Sequence, residues 1–257
     1  MDVYLSGISG VKTQLLSGEL DPSKVFALES FYSLKDWQKP FIPRFGKFML
    51  DSGAFTFRMA MKAGKQKGEI DWLKYADAYA DFVRDYNIRY FFELDIDNIT
   101  GYEYVKMLRN RIEERAQRQS IPVWHTNRGK QDFIDMCKRY DYVAIGGLAG
   151  ANSVHRIDDK YFPWFIRTAH KNGARIHGLG YTKTKMLAVY HWDSVDSTTW
   201  TNAGRFGEVH RFNGSSIERI TSIDGGKRLR RLISPADAAW HNFKEWLKFQ
   251  QYAINNL

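Results

Sequence analysis

The feature that most narrows the folding options is a regular alternation of short β-rich runs with amphipathic helical stretches. Runs rich in β-branched and aromatic residues fall at 3–5, 25–30, 48–50, 90–94, 121–124, 142–145, 175–177 and 194–195. Helical patterning occupies 70–86, 102–117, 131–140, 160–171 and 183–191. In the first of these, Trp72, Tyr75, Ala76, Tyr79, Ala80, Phe82 and Val83 recur close to helical spacing, with charges filling much of the rest. A strand, a helix and a second strand build a parallel pair, because the crossover returns the chain to the same edge. Eight such strands in 257 residues predict an α/β fold, a closed (β/α)8 TIM barrel.

The pattern changes after Trp200. Residues 201–223 read as turns and short antiparallel strands, with Asn213-Gly214 as the hairpin signal. Ser234 or Asp237 can cap a last helix whose first turn accommodates Pro235, and which carries Trp240, Phe243, Trp246, Leu247 and Tyr252. The expected organisation is one domain, a barrel over about 1–200 with a hairpin-and-helix extension over 201–257.

Composition excludes several classes. Hydrophobic residues at 44% supply a real core, so the chain is neither disordered nor fibrous. The start shows no basic n-region leading into an apolar h-region, and no apolar run approaches the ~18 residues of a membrane helix. A cytoplasmic protein without membrane partners is expected. The lone Cys137 rules out an internal disulfide and a cysteine-based zinc cage. The formal charge of +9 favours a polyanionic partner.

In an α/β barrel, chemistry gathers at the carboxyl ends of the strands. Asp51 follows the third run, Asp95 and Asp97 the fourth, and His125 the fifth. The segment Gly146-Gly147-Leu148-Ala149-Gly150 follows the sixth run, His177-Gly178-Leu179-Gly180 ends the seventh, and Asp196-Ser197-Thr198 ends the eighth. Any one Asp reads as a helix cap or turn former; their repetition at one structural position points to a site. Converging carboxylates suit chemistry at a sugar carbon, one attacking or stabilising the anomeric centre while another moves protons. The glycine pairs let backbone approach a flat ligand closely, or simply make tight strand-to-helix turns. His125 and His177 with Asp196 would also suit a barrel metal hydrolase, although no His-x-His follows the first strand, where Ser6-Gly7-Ile8 stands. The other histidines, His155, His170, His191, His210 and His241, are assigned surface or packing roles.

The ordered series Leu50-Asp51-Ser52-Gly53-Ala54-Phe55, Leu94-Asp95, Gly146-Gly147-Leu148-Ala149, His177-Gly178-Leu179-Gly180 and Asp196 resembles the tRNA-guanine transglycosylases over about residues 45–200. Those enzymes are (β/α)8 barrels that exchange guanine for a 7-deazaguanine base. The resemblance implies Asp196 as the nucleophile that forms a covalent glycosyl-enzyme, and Asp51 as the general acid/base. It implies Ser52, Asp95, His125, Gly146, Gly147 and Leu148 around the base, with His177 and Gly178 as the opposite wall. It implies no metal or organic cofactor. His125 stands where the tRNA enzymes place a glutamine, and Asp196-Ser197-Thr198 replaces their Asp-Cys-Val context. The three cysteines and histidine of their zinc subdomain are missing. The shorter pattern resembles the phage branch, 7-deazaguanine DNA transglycosylases, and implies DNA as the polymer, with tRNA as the alternative and a homodimer or accessory protein as a further partner.

Two basic clusters suit a polyanion independently of that resemblance. Arg205, Arg211, Arg219, Lys227, Arg228, Arg230 and Arg231 face only Glu208, Glu218 and Asp224 across 205–231, and Lys62, Lys65 and Lys67 follow the third strand. Solvated loop faces are the alternative. The run Arg109, Arg111, Arg115 and Arg118 is assigned to an exposed helix face. A flipped base needs stacking partners, for which Phe55, Phe57, Trp124, Trp200 and Phe206 are candidates. A nucleic-acid-binding barrel without catalysis is the competing non-enzymatic reading.

Overall fold

The computed structural model describes residues 1–64, 70–148, 157–202, 208–220 and 234–257. Eight parallel strands follow in chain order: β1 (Asp2–Ser6), β2 (Phe26–Ser30), β3 (Lys47–Asp51), β4 (Tyr90–Phe91), β5 (Val123–Trp124), β6 (Tyr142–Ile145), β7 (Arg175–Gly178) and β8 (Ser194–Ser197). Their spatial order is β4-β3-β2-β1-β8-β7-β6-β5, and an isolated parallel bridge between Phe92 and Ile121 links the two ends. There the Ile121 N–H donates to Phe91 O at 2.7 Å and the Glu93 N–H to Ile121 O at 3.0 Å. The sheet curls upon itself as the expected TIM-barrel architecture.

Between the strands run α1 (Lys12–Ser17), α2 (Ala54–Lys62), α3 (Trp72–Asp85), α4 (Asp97–Thr100), α5 (Tyr102–Ala116), α6 (Gly129–Arg139), α7 (Phe162–Lys171) and α8 (Thr184–Leu187). Asp71 caps α3 by accepting from the Lys74 N–H at 2.9 Å. The period of two in each strand divides the core into an inner and an outer layer. Tyr4, Leu28, Met49, Phe92, Val123, Tyr142 and Ala144 fill the barrel interior. Their neighbours Val3, Leu5, Ala27, Val143, Ile145, Ile176 and Val195 pack outward against helices. On the far side, Ala76, Tyr79, Ala80 and Val83 of α3 meet Val105, Leu108 and Ile112 of α5. Among the described residues no helix is long and apolar enough to cross a membrane.

Three local features depart from the sequence pattern. A 3-10 segment, Asp36–Arg44, takes the place of a regular helix between β2 and β3, since Pro40 and Pro43 bring no N–H. The 183–191 pattern yields only the single turn of α8. The helix after β3, α2, lies outside the segments with helical patterning; it starts from Gly53 at φ 92°, a conformation glycine adopts without strain.

The extension folds as expected. Strands β9 (Val209–Phe212) and β10 (Ile217–Ile220) pair antiparallel, and Asn213 closes the hairpin by accepting from the Ser215 and Ser216 N–H groups at 3.1 and 2.9 Å. Ser234 caps the C-terminal helix, Pro235–Asn256, by accepting from the Asp237 N–H at 3.1 Å. That helix lies on the barrel wall: Gln250 accepts from the Phe26 N–H at 3.0 Å and donates to Lys24 O at 2.9 Å.

Candidate active site

Strand alternation carries polar side chains to the carboxyl end of the barrel. Ser6 ends β1, Asp51 ends β3 and Asp196 is the third residue of β8, with Asp95 and His125 just beyond β4 and β5. Asp196 is 7% exposed and held by three donors. Its Oδ1 accepts from the Gly180 N–H at 2.6 Å and from His177 Nε2 at 3.3 Å, and its Oδ2 accepts from Ser6 Oγ at 3.1 Å.

Asp51 occupies a contrasting environment. Burial pushes its carboxyl up to about 6, the charges of Asp95 and Asp196 push in the same direction, and the Gly53 N–H opposes them. That N–H lies 2.9 Å from Oδ2, so Asp51 also caps the turn into α2. Asp51 thus holds its proton to a higher pH than an ordinary carboxyl, while Asp196 is furnished with donors.

Asp95 and His125 form a third element, with Asp95 Oδ2 and His125 Nε2 2.7 Å apart. The ring fits because Gly146 has no side chain: a Cβ there would lie 2.3 Å from Cε1 and 2.8 Å from Nδ1. Gly147, at φ 77°, and half-buried Leu148 follow on the same β6 loop. Gly178 has less exacting surroundings, since a Cβ at that position would meet Tyr181 Cβ first, at 3.3 Å. Ser52 is fully buried, its hydroxyl has no partner among the described residues, and its carbonyl accepts from the Tyr75 hydroxyl at 2.6 Å.

Other expected participants serve the frame instead. Asp97 is taken by Arg128 in a two-pronged bond, Nε to Oδ2 at 2.7 Å and Nη2 to Oδ1 at 2.6 Å. Arg128 also donates to Glu93 at 2.7 Å, and Arg109 reaches Glu93 at 3.2 Å. Arg109 is thus buried rather than exposed, because α5 turns it toward the carboxylate beneath it. Arg111 and Arg115 do lie outside, paired with Asp77 and Asp81 of α3. Asp193 precedes β8 at the opposite mouth, where it accepts from the Ile176 N–H at 2.8 Å and contacts His170 at 2.9 Å.

The stacking candidates divide by burial. Trp200 is fully enclosed against Gly10 and Phe243 and donates to Ser6 O at 2.9 Å. Trp124 packs on Phe133 and Phe165, and Phe57 on Trp72 and Tyr75. These three are packing residues, whereas Phe55 is 55% exposed. Of the basic residues, Arg211 lies exposed on the hairpin, paired with Glu218 at 2.8 Å, and Lys62 ends α2. Arg205, Phe206, Lys65, Lys67, Lys227, Arg228, Arg230 and Arg231 lie outside the described residues, as do Ala149, Gly150 and His155.

Sequence reading did not single out Ser6, Glu29, Tyr142 or Ser194. Glu29, near the end of β2, is buried and accepts from the Gly7 and Ile8 N–H groups at 3.0 and 2.7 Å and from Gln38 at 2.6 Å. It fixes the turn that follows Ser6. The available signal was its place at a strand end, which it shares with the aspartates.

Fold and site together define an α/β barrel with an acidic, histidine-flanked centre at the carboxyl mouth. No family model matches the sequence, and no curated protein does. Solved structures similar in shape include QR15, an aldolase, with a TM-score of 0.47 at 10% identity over 77% of this chain and 89% of that one. The carboxyl transferase domain of Rhizobium etli pyruvate carboxylase with pyruvate gives 0.49 at 11% over 98% of this chain and 48% of that one. An enolase protein from Sargasso Sea environmental sequencing gives 0.43 at 11% over 77% and 54%. At that distance they carry nothing about chemistry. Among the described residues no group of three His, Cys, Asp or Glu side chains is arranged to hold a metal ion.

Proposed function

We propose that this barrel is a base-exchange transglycosylase that replaces guanine in DNA with a 7-deazaguanine. The observation that carries the reading is the pairing of unlike carboxylates: Asp51, raised to about 6 with Asp95 and Asp196 acting on it, and Asp196 under three donors.

In this reaction the Asp196 carboxylate attacks the anomeric carbon. The glycosidic C–N bond breaks, its electron pair leaves with guanine, and protonated Asp51 supplies the proton. The resulting glycosyl ester is attacked by the incoming 7-deazaguanine, whose proton returns to Asp51 as Asp196 departs. Two inversions at one carbon retain the β-configuration. Asp95, held by His125 in the space left by Gly146, offers its other oxygen to an N–H on the base edge. As written, the chemistry uses no metal or organic cofactor. The target nucleotide must leave the stack, which costs a few kcal/mol in a duplex, and Phe55, 55% exposed just after β3, offers a ring to take up the lost stacking.

The test is incubation with DNA carrying labelled guanine and, separately, with labelled tRNA, each with 7-cyano-7-deazaguanine. Label release from DNA is expected. Release from tRNA alone would transfer the activity to the other polymer, and release from neither would remove the transglycosylase reading.

A further inference from the structure

Behind Asp196 a file of hydrogen bonds crosses the barrel interior. The Tyr142 hydroxyl bonds Ser194 Oγ, Ser194 Oγ bonds His177 Nδ1, and His177 Nε2 lies 3.3 Å from Asp196 Oδ1. The four residues come from three adjacent strands, β6, β7 and β8. His177 and Ser194 are both 0% exposed. The rings of Tyr4 and Phe92 pack against the imidazole with centroids 6.2 and 5.2 Å away. The titratable groups facing it are thus Tyr4 from β1, Tyr142 from β6 and Asp196 from β8.

Proton counting gives the file a direction. Among the described residues the Tyr142 hydroxyl has one hydrogen-bond partner, Ser194 Oγ, while the Arg175 guanidinium lies over the ring face, 4.5 Å from its centroid. Burial holds the phenol far above its ordinary range, so Tyr142 keeps its proton and gives it to Ser194. Ser194 must then turn its own hydrogen to His177 Nδ1, which leaves Nδ1 bare and the ring proton on Nε2. The reverse arrangement, with Nδ1–H donating to Ser194, strands a buried hydroxyl hydrogen, at a cost of about 1–3 kcal/mol for an unmade bond.

We propose that Ser194, whose oxygen the Tyr142 hydroxyl occupies, is the positioning residue that holds His177 in its neutral Nε2–H form, so that it donates to Asp196 without neutralising its charge. A doubly protonated His177 would pair with Asp196 as an ion and weaken it as a nucleophile. The functional consequence rests on the transglycosylase reading; the protonation pattern does not.

The experiment is 15N NMR of the imidazole nitrogens in the full chain at neutral pH, with His177 assigned by substitution. Unprotonated Nδ1 with protonated Nε2 is expected. A protonated Nδ1, in either the neutral or the charged ring, would overturn the proposal. In Ser194→Ala nothing donates to Nδ1, and growth of forms protonated there is expected, together with a kcat for base exchange lowered about five- to tenfold at unchanged KM, the worth of about one hydrogen bond. An unchanged protonation pattern in Ser194→Ala would overturn the proposal. If the expected pattern appears while the wild type exchanges no base, the positioning of His177 stands and the function assigned to Asp196 falls.

Discussion

Gly146 stands so close to His125 that a Cβ on the glycine would lie 2.3 Å from the imidazole Cε1. The same methyl would meet Val123 Cγ1 at 2.9 Å, so neither direction offers room. Gly146→Ala should force the ring off Asp95, destabilise the protein by about 1–3 kcal/mol, and weaken binding of the free 7-deazaguanine base. Thermal denaturation and base titration check it. An alanine variant with wild-type stability and affinity would show that His125 has more freedom than its bond to Asp95 implies.

Asp51 makes stability depend on pH in a defined direction. Its folded value of about 6 lies above the ordinary 3.8, so the folded state holds the proton more tightly than the unfolded chain. The stabilisation is complete below about pH 3.8 and is lost as pH rises through 6, a change of about 3 kcal/mol. Asp51→Asn removes this loss, so its stability relative to wild type should grow between pH 4 and pH 8 while base exchange falls by about 10²–10⁴-fold. Urea unfolding at both pH values, with exchange assays at pH 7, measures the two effects. A relative stability flat across that range would mean that Asp51 titrates normally.

Asp196→Asn should abolish any covalent glycosyl adduct and lower exchange by about 10³-fold or more, while DNA affinity stays at the wild-type level. Denaturing electrophoresis with labelled DNA detects the adduct. Its survival would move the nucleophile to another carboxylate, and Asp193 is already engaged with His170 and the Ile176 N–H at the opposite mouth.

The buried cluster of Arg128, Glu93 and Asp97 supports the site from beneath. Removing Arg128 leaves Asp97 without a counter-charge and Glu93 with Arg109 alone, in a place water does not reach. Arg128→Met should therefore cost about 3–5 kcal/mol, seen as a lower denaturation midpoint, even though methionine fills much of the same space. A loss below about 1 kcal/mol would place the cluster in the class of weak surface pairs.

Much of the architecture was legible because its signals are local. The hydrophobic alternation that marks 142–145 as a strand and the helical spacing over 70–86 need only a few neighbouring residues, and the observed elements, Tyr142–Ile145 and Trp72–Asp85, differ by two residues or fewer at either end. Ser234 and Pro235 announced the C-terminal helix in the same way. Where an expectation needed knowledge of distant surroundings, it went astray. Arg109 and Trp200 show this: the sequence shows a charge on a helix and a tryptophan after a strand, not the carboxylate or the helix packed against them.

By itself the sequence determined the succession of strands, most of the helices, and the placing of Asp51, Asp95, His125, His177 and Asp196 at the ends of the third, fourth, fifth, seventh and eighth strands, since periodicity and turn chemistry act over a few residues. Only the tertiary structure decided which of those groups work together. Ring closure through Phe92 and Ile121 and the parallel register of β1 with β8 bring Ser6 to Asp196 across 190 residues of chain. The same closure commits Asp97 to Arg128, leaves Asp95 to His125, and lines Tyr142, Ser194 and His177 up behind Asp196. The physical reason is that a hydrogen bond or a charge acts over a few ångströms of space, whatever the distance along the chain.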